Sequence, residues 1–156
     1  MNIRLVAVGQ KMPSWVEVGF SEYQKRLNHS VKLLLEEVPL ANRNRYPDAS
    51  AAKAQEAKKI NHVIKPNDHV VALEVTGKSW SSEQLAEQLS RWQHLGCDVA
   101  LLVGGPDGLD SHCLTRAQQQ WSLSSLTLPH PLVRIMIAEQ LYRAWSMLNN
   151  HPYHRC

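Results

Sequence analysis

Val99-Ala100-Leu101-Leu102-Val103-Gly104-Gly105 is the stretch whose reading decides the architecture. Five aliphatic residues in a row show no polar alternation and end in two glycines. Such a run reads as a strand covered on both faces, the setting of a parallel sheet between helices. Strand and helix signals alternate outward from it. On the N-terminal side, Ile3 to Val8 is a first strand that closes at Gly9, and Pro13 opens a helix to about Leu27. Val31 to Val38 is a second strand, closed by Pro39, and Ala49 to Ile64 has the composition of a helix. Lys65 to Asp68 is a turn, His69 to Val75 a third strand, and Gly77-Lys78-Ser79 a further turn. Ser81 and Gln84 fit a capping box for a helix that runs to about Leu95 and stops at Gly96. Beyond the central run come a short helix near Asp110 to Gln120, a strand-like Leu123 to Leu128, and a helix from Leu132 to about Asn149. The expectation is an α/β fold, a parallel sheet between helices, with residues 1–156 as a single domain.

Composition supports that class. The 156 residues can bury a core, with apolar residues at 44% and charged residues at 20%, ordinary for a soluble globular chain. No stretch approaches the roughly 20 apolar residues of a membrane span. The first nine residues read as a strand and not as a signal peptide. Cys97, Cys113 and Cys156 form neither a zinc pattern nor an even disulfide set, which points to a reducing compartment and a cytoplasmic location. A net charge of +3 favours anionic partners but is far from that of a DNA-coating protein. The histidines are scattered, with no HxxxH pair, so no metal site is expected.

Ligands of open parallel sheets bind at the carboxyl ends of the strands, and three loops there stand out. Val103-Gly104-Gly105-Pro106-Asp107-Gly108-Leu109 permits a close backbone approach by a ligand, or is a tight turn only. It lacks G-K-S/T and GxGxxG, so it is neither a phosphate loop nor a dinucleotide fingerprint. Trp121 to Pro131 alternates leucines with hydroxyls, as either the wall of a site or an ordinary edge strand. Leu73 to Gly77 is barely informative alone. The 132–149 helix is apolar on more than one face and needs deep core or a partner subunit. The segment Asn42 to Tyr46 is polar and basic, either a solvated loop or a place where Arg43 and Arg45 hold RNA phosphates. The tail, His151-Pro152-Tyr153-His154-Arg155, combines groups that stack on a base, move a proton and hold an anion, although chain ends are often frayed.

Five segments together resemble the large-subunit ribosomal RNA methyltransferase H family. They are Leu5 to Gly9, Val103 to Gly108, Leu126 to Arg134, Glu139 to Ala144 and His151 to Arg155. The similarity spans essentially the whole chain. The resemblance implies a SPOUT-class enzyme with a deep C-terminal trefoil knot, acting as a homodimer. It implies S-adenosyl-L-methionine in the knot, against Leu73, Gly104, Gly105, Leu123, Ser124, Ser125, Leu126, Thr127 and Leu128. The implied substrate is N3 of a pseudouridine in 23S ribosomal RNA of the assembled ribosome. Tyr153, His154, Arg155 and Arg143 are the catalytic candidates, although Glu139 offers Arg143 a purely structural ion pair. Cys156 ends the chain where an acidic residue is expected. Two alternatives remain open at this point: methylation of another RNA nucleotide, and a non-catalytic ribosome-binding factor of the same fold.

Overall fold

The computed structural model describes residues 1–27 and 30–155, so Cys156 lies outside the described residues. In chain order the elements are β1 (Asn2–Val8), α1 (Ser14–Gln24), β2 (Lys32–Val38), α2 (Ala49–Val63), β3 (His69–Ser79), α3 (Ser82–His94), β4 (Val99–Val103), α4 (Ser111–Arg116), β5 (Gln119–Ser122) and α5 (His130–Leu148). The strands form one parallel sheet in the order β2-β1-β4-β3-β5. β4 lies in its centre with every residue buried, as its unbroken aliphatic run requires.

Strand alternation sorts the core into two layers. Ile3, Leu5 and Ala7 of β1 face α1, α3 and α5, packing with Phe20, Leu89, Trp92 and Leu141. Val6 and Val8 face α2 and α4, packing with Ala57, Ile60 and Cys113. Arg4 is also buried, and its two terminal guanidinium nitrogens donate to Glu36, Asp68 and the Val63 carbonyl. A buried arginine left without such partners would be severely destabilising.

The local signals largely hold. Ser81 and Gln84 form the expected capping box, and Gly96 follows α3 with a positive φ of 73°. Pro131 sits in the first turn of α5, which begins at His130 and not at Leu132. At its other end Asn150 takes a left-handed φ of 53° while the His151 N–H reaches back to the Ser146 carbonyl at 2.9 Å, a Schellman closure.

Three readings change. β3 does not end at Val75 but continues to Ser79, and both Leu73 and Lys78 align with Trp121, so Glu74–Gly77 bulge from the ladder. A Cβ at Gly77 would lie 2.8 Å from the Gln120 backbone, which explains the glycine there. The helix expected up to Gln120 stops at Arg116, and 119–122 is a strand. Glutamine favours helix, but here the Gln118 N–H bonds the Val70 carbonyl while its side chain accepts the Val70 N–H. The Gln119 amide ties His69, Trp92 and Gln88 together, and these tertiary bonds override local propensity. Residues 123–128, read as strand-like, form an irregular loop in which Ser122 and Ser124 hydroxyls bond nearby backbone.

Candidate active site

A cavity of about 160 Å³ opens at the carboxyl ends of β3, β4 and β5, against the first turn of α5. Leu73, Glu74 and Val75 come from β3 and its bulge, Val103 and Gly104 from the end of β4, and Gly108 from the loop after it. Trp121, Leu123, Ser124, Leu126, Thr127 and Leu128 supply the opposite wall, and His130 and Val133 close it from α5. The arrangement follows from topology: β3 pairs with both β4 and β5, so three successive βα loops converge.

The loop after β4 is shaped by its own backbone. Gly108 donates to the Gly105 carbonyl at 2.9 Å across a turn with Pro106 and Asp107 in its middle, and Gly108 has a φ of 84°. A Cβ on Gly104 would come within 2.4 Å of the Gly108 carbonyl carbon. Gly104 is therefore demanded by the chain's return as well as by the cavity it lines. Gly105 faces inward instead, where a Cβ would meet Leu40, Val8 and Glu56 at 3.1–3.3 Å.

Behind this turn lies a charged cluster. Glu56 is buried, and its Oε2 accepts the Ala41 N–H at 3.0 Å. Arg43 reaches Asp107 at 2.5 Å and Glu56 at 3.9 Å. The basic loop is thus tied to the glycine turn through Arg43, while Arg45 is exposed and lies over the Tyr46 ring. The imidazole of His130 is held below its usual pKa by burial, which outweighs the nearby Gly105 carbonyl and Glu56 carboxylate.

The tail forms a 3₁₀ turn, Pro152–Arg155, folded back on α5. Tyr153 donates to Glu139 at 2.9 Å and packs on Tyr142, with ring centroids 4.6 Å apart. Burial and the Glu139 carboxylate raise its pKa far above the ordinary phenol value, so the hydroxyl stays a donor. Arg143 bonds the same carboxylate at 2.8 and 3.0 Å and lies over the Tyr153 ring. The Ser146 hydroxyl donates to the Arg143 carbonyl at 2.7 Å and lies 3.3 Å from His154 Nδ1. In the tautomer with hydrogen on Nδ1, this contact is a hydrogen bond and Nε2 is the ring's acceptor. Tyr153, His154, Arg143 and Glu139 are therefore brought together, but none of them lines the cavity. Arg155 is exposed.

A family model described as "Predicted SPOUT methyltransferase" matches residues 1–154. The chain belongs to the SPOUT methyltransferase family. It is 58% identical over 155 residues to "Ribosomal RNA large subunit methyltransferase H" of Hahella chejuensis, covering 99% of each chain. It is 52% identical to the protein of that name from Methylococcus capsulatus, covering 99% of this chain and all of the other. A probable methyltransferase from Bordetella pertussis shares the fold, with a TM-score of 0.57 at 15% identity over 91% of this chain and 95% of that one.

The cofactor of this SPOUT methyltransferase is S-adenosylmethionine, the methyl donor of the family. The cavity fits it. Leucines offer apolar walls to a base ring, Ser124, Thr127 and Glu74 offer polar partners, and the glycine turn brings backbone alongside. Of the residues expected to hold the cofactor, the cavity collects Leu73, Gly104, Leu123, Ser124, Leu126, Thr127 and Leu128. Gly105 and Ser125 do not line it: the first points into the core, and the second is exposed. Glu74 and His130 also line the cavity; both stood in loops singled out at the strand ends, but neither was assigned to the cofactor. The β3 bulge that brings Glu74 in had no local signature, whereas His130 stood inside the Pro129-His130-Pro131 segment without an assigned role. No group of three metal-ligating side chains occurs among the described residues, and no described helix is long and apolar enough to cross a membrane.

Proposed function

We propose that this SPOUT methyltransferase transfers methyl to N3 of a pseudouridine in 23S ribosomal RNA of the assembled ribosome, working as a homodimer in the cytoplasm. The observation that carries this reading is full-length similarity to relatives named for large-subunit ribosomal RNA methylation. A single domain, with its C-terminal part knotted around the cofactor cavity, is part of the same reading.

When bound, the cofactor supplies a methyl group already activated by its sulfonium. The protein's task is then to orient the base and handle charge. N3 lies between two carbonyls and bears a proton that must leave. His154 suits proton acceptance, since in the tautomer whose Nδ1 hydrogen meets Ser146 its Nε2 is the acceptor. Tyr153 remains a neutral donor and stacking surface, while Arg155 and Arg143 supply positive charge toward the carbonyl oxygens.

The tail lies away from the cavity of its own protomer, which favours a site completed by the partner's tail. Apolar surface supports the dimer: Trp15 and Val18 on α1 are 53% and 69% exposed, and Leu132 and Met136 are exposed on α5, the helix that packs against α1. The exposed Arg45 is the phosphate contact of the basic loop, and Arg43, committed to Asp107 and Glu56, is its anchor.

Incubation with radiolabelled S-adenosylmethionine and unmethylated ribosomes, free 23S RNA or transfer RNA tests the substrate class. Label should enter the 23S RNA of ribosomes. Label confined to transfer RNA, or no transfer at all despite cofactor binding, would overturn the reading.

A further inference from the structure

His130 lines the cofactor cavity, but one side of its ring does not face it. Nδ1 is sealed from solvent and makes no well-aligned hydrogen bond among the described residues. The acceptors that act on the ring are the Gly105 and Gly104 carbonyls and, from α2, the Glu56 carboxylate, with the Arg134 guanidinium acting on it from the next turn of α5. A nitrogen lone pair turned toward carbonyl oxygens would repel them, so the ring hydrogen resides on Nδ1. The lone pair then belongs to Nε2, which, unlike Nδ1, is not among the sealed, unpartnered atoms of this cavity-lining residue. This is the arrangement by which a carbonyl behind an imidazole selects what its front nitrogen can do.

Charge points the same way. S-adenosylmethionine carries a sulfonium, an ammonium and one carboxylate, a net positive charge, with further N–H and O–H donors on its base and ribose. A protonated His130 would repel such a ligand and would have no acceptor to offer. Burial keeps the ring neutral, so it accepts at neutral pH. Glu74, from β3, is the other titratable side chain lining the cavity, and Arg134 on α5 adds a positive charge that disfavours protonation of His130.

We infer that His130 is a cofactor-binding residue whose neutral imidazole, with hydrogen on Nδ1, accepts at Nε2 a hydrogen bond from an N–H or O–H donor of S-adenosylmethionine. This rests on the cofactor occupying the cavity, and the test separates the two claims.

Calorimetry with S-adenosylhomocysteine reads binding without turnover. His130→Phe keeps a planar ring but leaves the ligand's donor unpaired, and should weaken binding tenfold or more while leaving the melting temperature of the free protein within a few degrees. His130→Gln puts an amide oxygen near the Nε2 position and should recover most of the affinity. Wild-type affinity should fall as pH drops through the pKa of His130, and the Gln variant should lose that dependence, which excludes Glu74 as its source. Undiminished affinity in the Phe variant, or a pH profile that persists with Gln, would overturn the assignment. If the Phe variant does not fold, the pH profile of the Gln variant decides. Thr127→Trp obstructs the cavity itself from an exposed loop. Normal affinity there would show that the cofactor sits elsewhere, removing the cavity assignment and the role of His130 with it.

Discussion

A methyl group added at Gly104 would meet the backbone of Gly108 and Leu109, whereas one added at Gly105 would meet the ends of Leu40, Val8 and Glu56. Backbone cannot step aside as a side-chain terminus can. Gly104→Ala should therefore cost on the order of 1–3 kcal/mol in chemical denaturation and lose the cofactor-induced rise in melting temperature. Gly105→Ala should cost less and keep that rise; equal behaviour of the two would contradict this account of the turn. Thiol reactivity gives a second check at this scale. Burial pushes Cys113 up to about 11, so it is protonated and shielded at pH 8, whereas Cys97 is partly exposed. Iodoacetamide at pH 8 should label Cys97 while Cys113 stays unmodified until the protein unfolds, as peptide mass mapping would report. The sequence made Gly104 visible because two glycines after a buried strand are unusual. It could not reveal that their side-chain directions diverge, since that depends on where the chain returns four residues later.

Elements show where local preference gave way to neighbours. The buried run of β4 and the Ser81 capping box were legible because each signal is complete within a few residues. The segment from 117 to 122 was misread because its glutamines gain partners on β3 and α3, far away in sequence, and 123–128 because serine hydroxyls bond nearby backbone. The short α4 shows a cap at work. Asp110 accepts the His112 backbone N–H at 2.9 Å, and this bond, the largest cause, holds its carboxyl below the ordinary 3.8. A depressed native pKa means that its stabilisation is complete well above 3.8 and fades as pH falls through the native value. Asp110→Ala should then cost about 1 kcal/mol at pH 7 and progressively less below pH 3.8. A penalty that does not shrink with acid would show that the carboxylate's charge is not what caps α4. The basic loop divides in the same spirit. Arg45→Ala should flatten the salt dependence of ribosome binding by about one unit of slope. Arg43→Ala should instead lower stability, because it leaves buried Glu56 without its nearest cation. If the two variants affected only ribosome affinity, and equally, the anchoring role would fail.

At the scale of the whole molecule the tail and the cavity must be reconciled. Tyr153, His154 and Arg143 form one cluster at the far part of α5, and the cofactor cavity opens at its first turn. A sequence has no record of that separation, and family resemblance names both groups without saying how they meet. If they meet across a dimer, two defective subunits should repair one another. Mixing Thr127→Trp subunits, whose tails are intact, with subunits truncated after Asn150, whose cavities are intact, should form one working site per mixed dimer. Activity that stays absent in confirmed mixed dimers would place the tail's action within its own subunit. The most direct measurement of the central claim is the product itself. Ribosomes from a strain lacking the enzyme are incubated with protein and S-adenosylmethionine, and digested 23S RNA is mapped by tandem mass spectrometry. The account predicts a single added methyl, on N3 of a pseudouridine, whereas methyl on another atom or nucleotide, or none at all, would contradict it.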